Sequence, residues 1–303
     1  MRVLLLGSNG QVGTELRRSL APLATLIAGT RNGSLDDGTP CEVADFDAPE
    51  SLRDLVERVA PDVVVNAAAH TQVDKAESEP EAAFRANAES PAVLAAACER
   101  GNALLVHYST DYVFDGSGNR PYREDDPVAP LGVYGESKLA GEQAIQRSGA
   151  RHLIFRTAWV YAGHGRNFMR TMLRLAGERD ELRVVADQYG TPTPAALIAD
   201  VTARILAQGQ APDAGGLALP SGLWHLTPTG QTSWHGFAEA IVDRAHALGR
   251  LAKRPRVVPI TTPEFPTPAA RPAYSVLDCG KLQREFGIEL PGWQEALDGV
   301  LHG

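Results

Sequence analysis

Along the first half of the chain, short apolar runs alternate with stretches whose apolar residues recur at helical spacing. Val3 to Leu6 reads as a buried strand. Gln11 to Leu20 follows as a helix with Val12, Leu16 and Leu20 on one face. Leu23 to Ala28, Asp62 to Asn66, Ala103 to His107 and His152 to Phe155 read as further strands. Between them fall helices at Glu50 to Val59, Glu81 to Arg100 with a bend near Pro91, and Tyr134 to Arg147. Strands that alternate with helices predict right-handed crossovers and a parallel sheet covered on both faces. Ligands bind such sheets at the carboxyl ends of their strands.

The second half is less regular. Helices are predicted at Asn167 to Glu178, Ala195 to Gln208, Ser233 to Leu248 and Lys281 to Phe286; prolines cluster from Pro255 to Pro272, and within that stretch Pro263 to Pro268 cannot be helix interior. The pattern predicts an α/β fold: a Rossmann-like, doubly wound parallel sheet with a smaller C-terminal substrate-binding lobe. The first unit is placed at residues 1–162 and the lobe at 163–303, with a strand or helix from 195–230 returning to the sheet. No apolar run approaches the roughly 18 residues of a membrane span. With 44% hydrophobic and 22% charged residues the 303-residue chain is ordinary globular material. A net charge of −8 without like-charge blocks argues against nucleic acid or an anionic membrane as partner. Cys41, Cys98 and Cys279 are isolated, and the histidines form no H-x-x-x-H pair, so neither a disulfide framework nor a metal site is expected. Reduced thiols fit a cytoplasmic protein.

The residues with chemistry fall where strands end. Gly7-Ser8-Asn9-Gly10-Gln11-Val12-Gly13 lies between the first strand and the first helix. Glycines there allow a tight turn and close approach of a pyrophosphate to a helix N-terminus. The spacing is G-x-x-G-x-x-G, so the context carries the prediction of dinucleotide binding. After the second strand, Ala28-Gly29-Thr30-Arg31-Asn32 has no acid to hold a ribose diol, and Arg31 points to a 2′-phosphate. NADPH is therefore the expected cofactor, with NADH as a second one accepted. Asp45, ahead of Phe46, either accepts from an adenine amino group or belongs to a helix start. Ala67-Ala68-Ala69 after the third long strand leave room for a flat ring, with His70 and Thr71 at the pocket edge.

Tyr134 and Lys138, at i and i+4, share one helix face. An ammonium beside a phenol favours the phenolate and lowers its pKa, which makes a proton shuttle. With four lysines and seven tyrosines in the chain, about 0.1 such pairs are expected by chance. Thr110, after the Ala103 strand, supplies a hydroxyl for the same substrate oxygen.

The glycine turn, Asn66-Ala-Ala-Ala-His-Thr71, Tyr108-Ser-Thr-Asp-Tyr-Val-Phe114 and Val133-Tyr-Gly-Glu-Ser-Lys-Leu-Ala-Gly-Glu142 resemble the extended short-chain dehydrogenase/reductases. Ala76-Glu-Ser-Glu-Pro80, Phe155-Arg-Thr-Ala-Trp-Val-Tyr161, Asp187-Gln-Tyr-Gly-Thr-Pro192 and Thr267-Pro-Ala-Ala-Arg-Pro272 narrow the likeness to its sugar-nucleotide reductases. The resemblance implies hydride transfer to C4 of a dTDP-linked 4-keto-6-deoxy sugar. Tyr134 would be proton donor, Lys138 its partner on the nicotinamide ribose, and Thr110 the group polarising the carbonyl, with Asp111 beside it. Gly10, Gln11, Val12, Asp45, Phe46 and Ala67 to Thr71 would line the cofactor. Trp159 would face the sugar, and Asn167 and Arg271 the nucleotide. The resemblance also implies a pathway epimerase as functional neighbour and a monomer or homodimer. Some family members hold Mg²⁺ between subunits through a glutamate; Glu15 is present here, but Ala196 stands at the glutamate's position, so the resemblance implies Mg²⁺ without carrying over a metal-bridged dimer.

Overall fold

A computed structural model describes residues 1–210 and 217–302. Its centre is a seven-stranded sheet. We label six strands in chain order: β1 Arg2–Leu6, β2 Thr25–Thr30, β3 Glu42–Val43, β4 Val63–Asn66, β5 Leu104–Thr110 and β6 His152–Thr157. The seventh, Gly222–His225, lies at the edge beside β6, and the order from there is β6, β5, β4, β1, β2, β3, all parallel. The order reverses around β1, which lies between β2 and β4, with Leu6 level with both Gly29 and Asn66. That reversal opens a crevice at the carboxyl ends of β1 and β4.

The strands alternate strictly across the sheet. Val3, Leu5, Val63, Val65, Leu104 and Val106 face a core shared with the helices Gln11–Leu20 and Ala195–Gly209. Leu4, Leu6, Val64, Leu105 and Ile154 face the other side, under the helices Pro49–Val59, Ser90–Gly101 and Val133–Arg147. Each fully buried aliphatic side chain contributes about 1.5–3 kcal/mol, so burial on both faces is what holds the sheet. The second lobe has its own core, in which Met169, Leu182, Phe237, Ile241 and Leu297 meet.

The expected Glu81 to Arg100 helix is observed as Pro80–Phe84, a wide π-helical turn at Arg85–Glu89, and Ser90–Gly101. Pro91 has no N–H to return to the Asn87 carbonyl, so the ladder breaks one turn before it. The freed carbonyl lies where a Cβ on Gly141 would come within 2.1 Å of it, so the helix carrying Tyr134 packs closely there. The second strand runs from Thr25 to Thr30, two residues later than expected. Two helices, Val73–Ser78 and Trp293–His302, and the parallel pair Glu181–Val185 with Arg256–Ile260 were not expected from the pattern.

Candidate active site

The glycine turn is closed by contact. Gly7 has φ +78°, and a Cβ on it would lie 2.7 Å from the Ala68 nitrogen. A Cβ on Gly13 would lie 2.0 Å from the Gly7 carbonyl oxygen. Gly10 precedes the helix Gln11–Leu20, and no side chain caps that end. Its first N–H groups and the positive end of the helix dipole are therefore available to a diphosphate. The cradle fits a dinucleotide on these grounds. Ser8 is buried and ties the turn to β1 and β2, donating to the Leu5 carbonyl at 2.8 Å and accepting from Gly29 N at 3.3 Å. Asn9 bridges to the next loop, donating to the Ser34 carbonyl at 3.0 Å and accepting from Asp36 N at 3.2 Å. The Asn9 amide is thus spent on holding that loop.

Arg31 is exposed at the rim of the crevice. The turn that carries it has no acid, as its sequence says, but β3 and the loop after it bring Asp45 to 4.0 Å and Asp47 to 3.5 Å. Phe46 between them is a core residue rather than a free pocket wall. Ala67, Ala68, Ala69 and His70 are half-buried at the end of β4, and Thr71 is exposed. The His70 backbone is gripped by Asn87, which accepts from its N–H at 2.8 Å and donates to its carbonyl at 3.0 Å. Asn87 also donates to Ser137 Oγ, which bonds the Tyr134 carbonyl at 2.9 Å.

Thr110, Asp111, Tyr134 and Lys138 come together at the end of β5. Thr110 donates to Asp111 at 3.1 Å and accepts from the Tyr112 N–H at 3.1 Å. Asp111 is buried and also accepts from Ser275 at 2.5 Å. Burial pushes its carboxyl up to about 7 against those hydrogen bonds. Tyr134 stands edge-on to Tyr112, their centroids 5.8 Å apart, in a small cleft shared with Val73, Glu77 and Pro272. Burial raises its phenol to about 12, with the Thr110 hydroxyl opposing and the Asp111 charge adding. The expectation that Lys138 would pull this pKa down is corrected. The Lys138 ammonium is buried, donates to the Tyr108 carbonyl at 2.6 Å, and lies 3.2 Å from His107 Nε2. Burial lowers it to about 8, opposed by Glu142.

The second lobe supplies the remaining residues. Trp159 has φ +47°, a conformation rare for a large side chain, and stacks on Trp234 at 3.6 Å. A Cβ on Gly190 would meet the Trp159 ring at 2.6 Å, so the indole is clamped on two sides. Arg271 is bound to Asp74 at 2.8 Å, to the Ala269 carbonyl at 3.0 Å and to Thr267. Asn167 departs from the role expected for it. Its oxygen caps the helix Phe168–Glu178 through Arg170 N, and its nitrogen donates to Gln11, Ala162 and His164. With every polar atom used, the side chain closes the 162–167 loop onto the first helix instead of offering a free contact. Glu15 is similarly occupied, by Arg18 at 3.1 Å and His164 at 2.9 Å. Among the described residues no three His, Cys, Asp or Glu side chains cluster as metal ligands do, and no helix is long and apolar enough to cross a membrane.

The chain matches the family model described as the RmlD substrate binding domain over residues 1–303. It is 52% identical to a dTDP-4-dehydrorhamnose reductase of Burkholderia thailandensis over 98% of this chain and 97% of that one. The chain belongs to the dTDP-4-dehydrorhamnose reductase family. Two solved structures of such reductases superpose on it. One, from Clostridium acetobutylicum, has TM-score 0.88 and 36% identity, covering 100% of this chain and 99% of that one. The other, from Bacillus anthracis in complex with NADP, has TM-score 0.87 and 32% identity, covering 99% and 98%.

Asp74, Asn87, His107, Trp234 and Ser275 were not marked in the sequence, and Asn66 and Glu77 stood within its motifs without a role of their own. His107 left the clearest trace. It is a lone titratable group in the otherwise apolar run Leu104-Leu105-Val106, and a buried strand does not carry one without a partner.

Proposed function

We propose that the protein reduces the C4 ketone of dTDP-4-dehydro-β-L-rhamnose to the alcohol of dTDP-L-rhamnose, with NADPH as reductant and NADH as a poorer one. The observation that carries this reading is the half-buried Tyr134 phenol beside Thr110, in a cleft at the carboxyl end of the sheet, one turn of helix from Lys138. The substrate class is that of the dTDP-4-dehydrorhamnose reductases to which the chain is similar.

A reduced nicotinamide, when bound, supplies the hydride. The chain's own residues do the rest. Gly7, Gly10 and Gly13 let the diphosphate approach the first helix, and the alanines after β4 give the ring and its ribose a flat wall. Tyr134 keeps its proton at neutral pH because burial raises its pKa, so it can give that proton to the carbonyl oxygen as the hydride arrives at C4. Thr110, turned from Asp111 to the same oxygen, polarises it. Lys138, turned to the Tyr108 carbonyl, would hold the nicotinamide ribose beside the phenol. Trp159, clamped between Trp234 and Gly190, offers the sugar the part of its apolar ring that these leave exposed. Arg271 exchanges Asp74 for the substrate diphosphate. The lobe from residue 163 onward is the substrate-binding part, and an epimerase is the class of enzyme that supplies the 4-keto sugar.

Consumption of NADPH on adding dTDP-4-dehydrorhamnose tests the reading, with Tyr134→Phe beside the wild type. The variant is expected to bind NADPH normally and lose about 10²–10⁴-fold in kcat, the contribution of general acid catalysis. A variant that kept most of its turnover would remove Tyr134 from the chemistry.

A further inference from the structure

Behind Tyr134 a row of buried polar groups runs from β4 to the helix Val133–Arg147, and its hydrogens can be counted. The Ala68 N–H donates to Asn66 Oδ1 at 3.1 Å, which turns the amide nitrogen of Asn66 toward His107 Nδ1, also at 3.1 Å. An amide nitrogen only donates, so Nδ1 accepts and carries no hydrogen. A neutral imidazole must then carry its hydrogen on Nε2. That nitrogen lies 3.2 Å from Lys138 Nζ. An ammonium has three donors and no lone pair, so Nε2–H against a charged Lys138 sets two donors face to face. An uncharged amine has a lone pair to receive Nε2–H and still donates to the Tyr108 carbonyl, 2.6 Å away.

The charged and titratable groups around this pair do not relieve the conflict. On the lysine's own helix, Glu142 favours the cation, but both its oxygens are taken by Arg156 of β6, at 2.9 and 2.7 Å. On β5 the Tyr108 hydroxyl bonds Thr202. Past the strand end, Asp111 is held by Thr110 and Ser275. Tyr134, on the lysine's own helix, is held protonated by burial.

We infer that His107 is a positioning residue for the relay: locked by Asn66 with its hydrogen on Nε2, it makes Lys138 shed its proton readily in the free protein, and the lysine takes a proton back when a nicotinamide dinucleotide docks. A ribose hydroxyl offers lone pairs to an ammonium, and the dinucleotide's negative charge favours the cation. The inference rests on the reductase reading above. Burial acts in the same direction, lowering Lys138 to about 8 and His107 well below the ordinary imidazole value.

The test is calorimetric titration of NADPH into the wild-type protein at pH 8, in two buffers of different ionisation enthalpy. About half a proton is expected to be taken up per NADPH bound, as for a group titrating near 8. The Kd is expected to be flat on the acid side of the lysine's titration and to rise about tenfold per pH unit on the basic side. In His107→Gln the side-chain oxygen can face the ammonium, so the break in Kd should move up by about one pH unit or more. Proton uptake at pH 8 should fall toward zero. A residue that only filled space would change Kd by one factor at every pH and leave the break in place. No proton uptake by the wild type, or an unmoved break in a folded His107→Gln, overturns the inference; if that variant does not fold, Asn66→Ala, which frees Nδ1 to take the hydrogen and leaves Nε2 a lone pair for the ammonium, is expected to move the break upward in the same way, and an unmoved break there overturns it. Failure of the wild type to bind NADPH at all would overturn the reductase reading and this inference with it.

Discussion

Arg31 is 72% exposed in its side chain and lies between two acids, Asp45 and Asp47, that the chain brings in from β3 and the loop after it. Its neighbours in sequence contain no acid, so the local reading favours a 2′-phosphate. The fold adds a competing pair of carboxylates on the same guanidinium. A charge-assisted bond to phosphate contributes about 1.5–3 kcal/mol, and exposure and salt bring that down. Arg31→Ala is accordingly expected to raise KM for NADPH by no more than about tenfold while NADH kinetics stay nearly flat. kcat/KM for each cofactor at fixed ionic strength measures it, and an equal loss with both would place Arg31 in support of the fold. Asn167 makes the complementary point. An asparagine before a helix reads as a cap or as a ligand contact with equal ease, and only its four bonded neighbours decide that it is a tie between the lobes.

The element that matters most is the helix Val133–Arg147, which carries Tyr134 and Lys138. Its own N-terminal residue is Gly132, which has no side chain to cap it. The cap comes instead from Glu77, in a helix far back in the chain, which accepts from Val133 N at 2.9 Å. A Cβ on Gly132 would lie 2.5 Å from that carboxylate, so the glycine is what lets the cap approach. A carboxylate at this end also meets the favourable pole of the helix dipole. Glu77→Gln keeps the shape but loses the charge and is expected to cost about 0.5–1 kcal/mol of stability. Because the first turn carries Tyr134, kcat should fall more than NADPH affinity. Chemical denaturation and a kcat-against-Kd comparison check this together; unchanged kcat with lowered stability would leave Glu77 a cap and nothing more.

At the scale of the whole molecule, three buried titratable groups govern how stability responds to acid. His225 is lowered to about 3 and His107 well below the ordinary imidazole value, both by burial, so each is neutral when folded. On unfolding below pH about 6.5 each takes up a proton, and stability present above that pH is lost as pH falls. Asp111 works in the opposite sense. Raised to about 7, it is protonated in the folded protein and releases its proton on unfolding, so acid favours the fold through it. Two histidines against one aspartate leave a net uptake of about one proton on unfolding between pH 4.5 and 6.5, or about 1.4 kcal/mol lost per pH unit. The free energy of unfolding from urea titrations across that range measures the slope. In Asp111→Asn the slope should steepen by about one further proton, and a slope that did not change would mean that Asp111 is charged inside the protein.

The chain's own pattern determined the elements whose signal is local. Uninterrupted apolar runs of strand length at Val3 to Leu6 and Val63 to Val65, 3.6-residue spacing in the helices, and glycines where a turn needs them specify the parallel sheet and the dinucleotide cradle from local signals. The i, i+4 spacing put Tyr134 and Lys138 on one helix face for the same reason. Tertiary structure decided everything that depends on desolvation and on partners far along the chain. From spacing alone the lysine was expected to lower the tyrosine's pKa. In the folded protein burial raises it to about 12, and the ammonium is turned to Tyr108 and His107 instead. Arg271 meets Asp74, and Ser275 meets Asp111, across separations of 197 and 164 residues. No periodicity records such meetings, because they arise only when packing removes water from both partners and leaves each the other's hydrogen-bond partner.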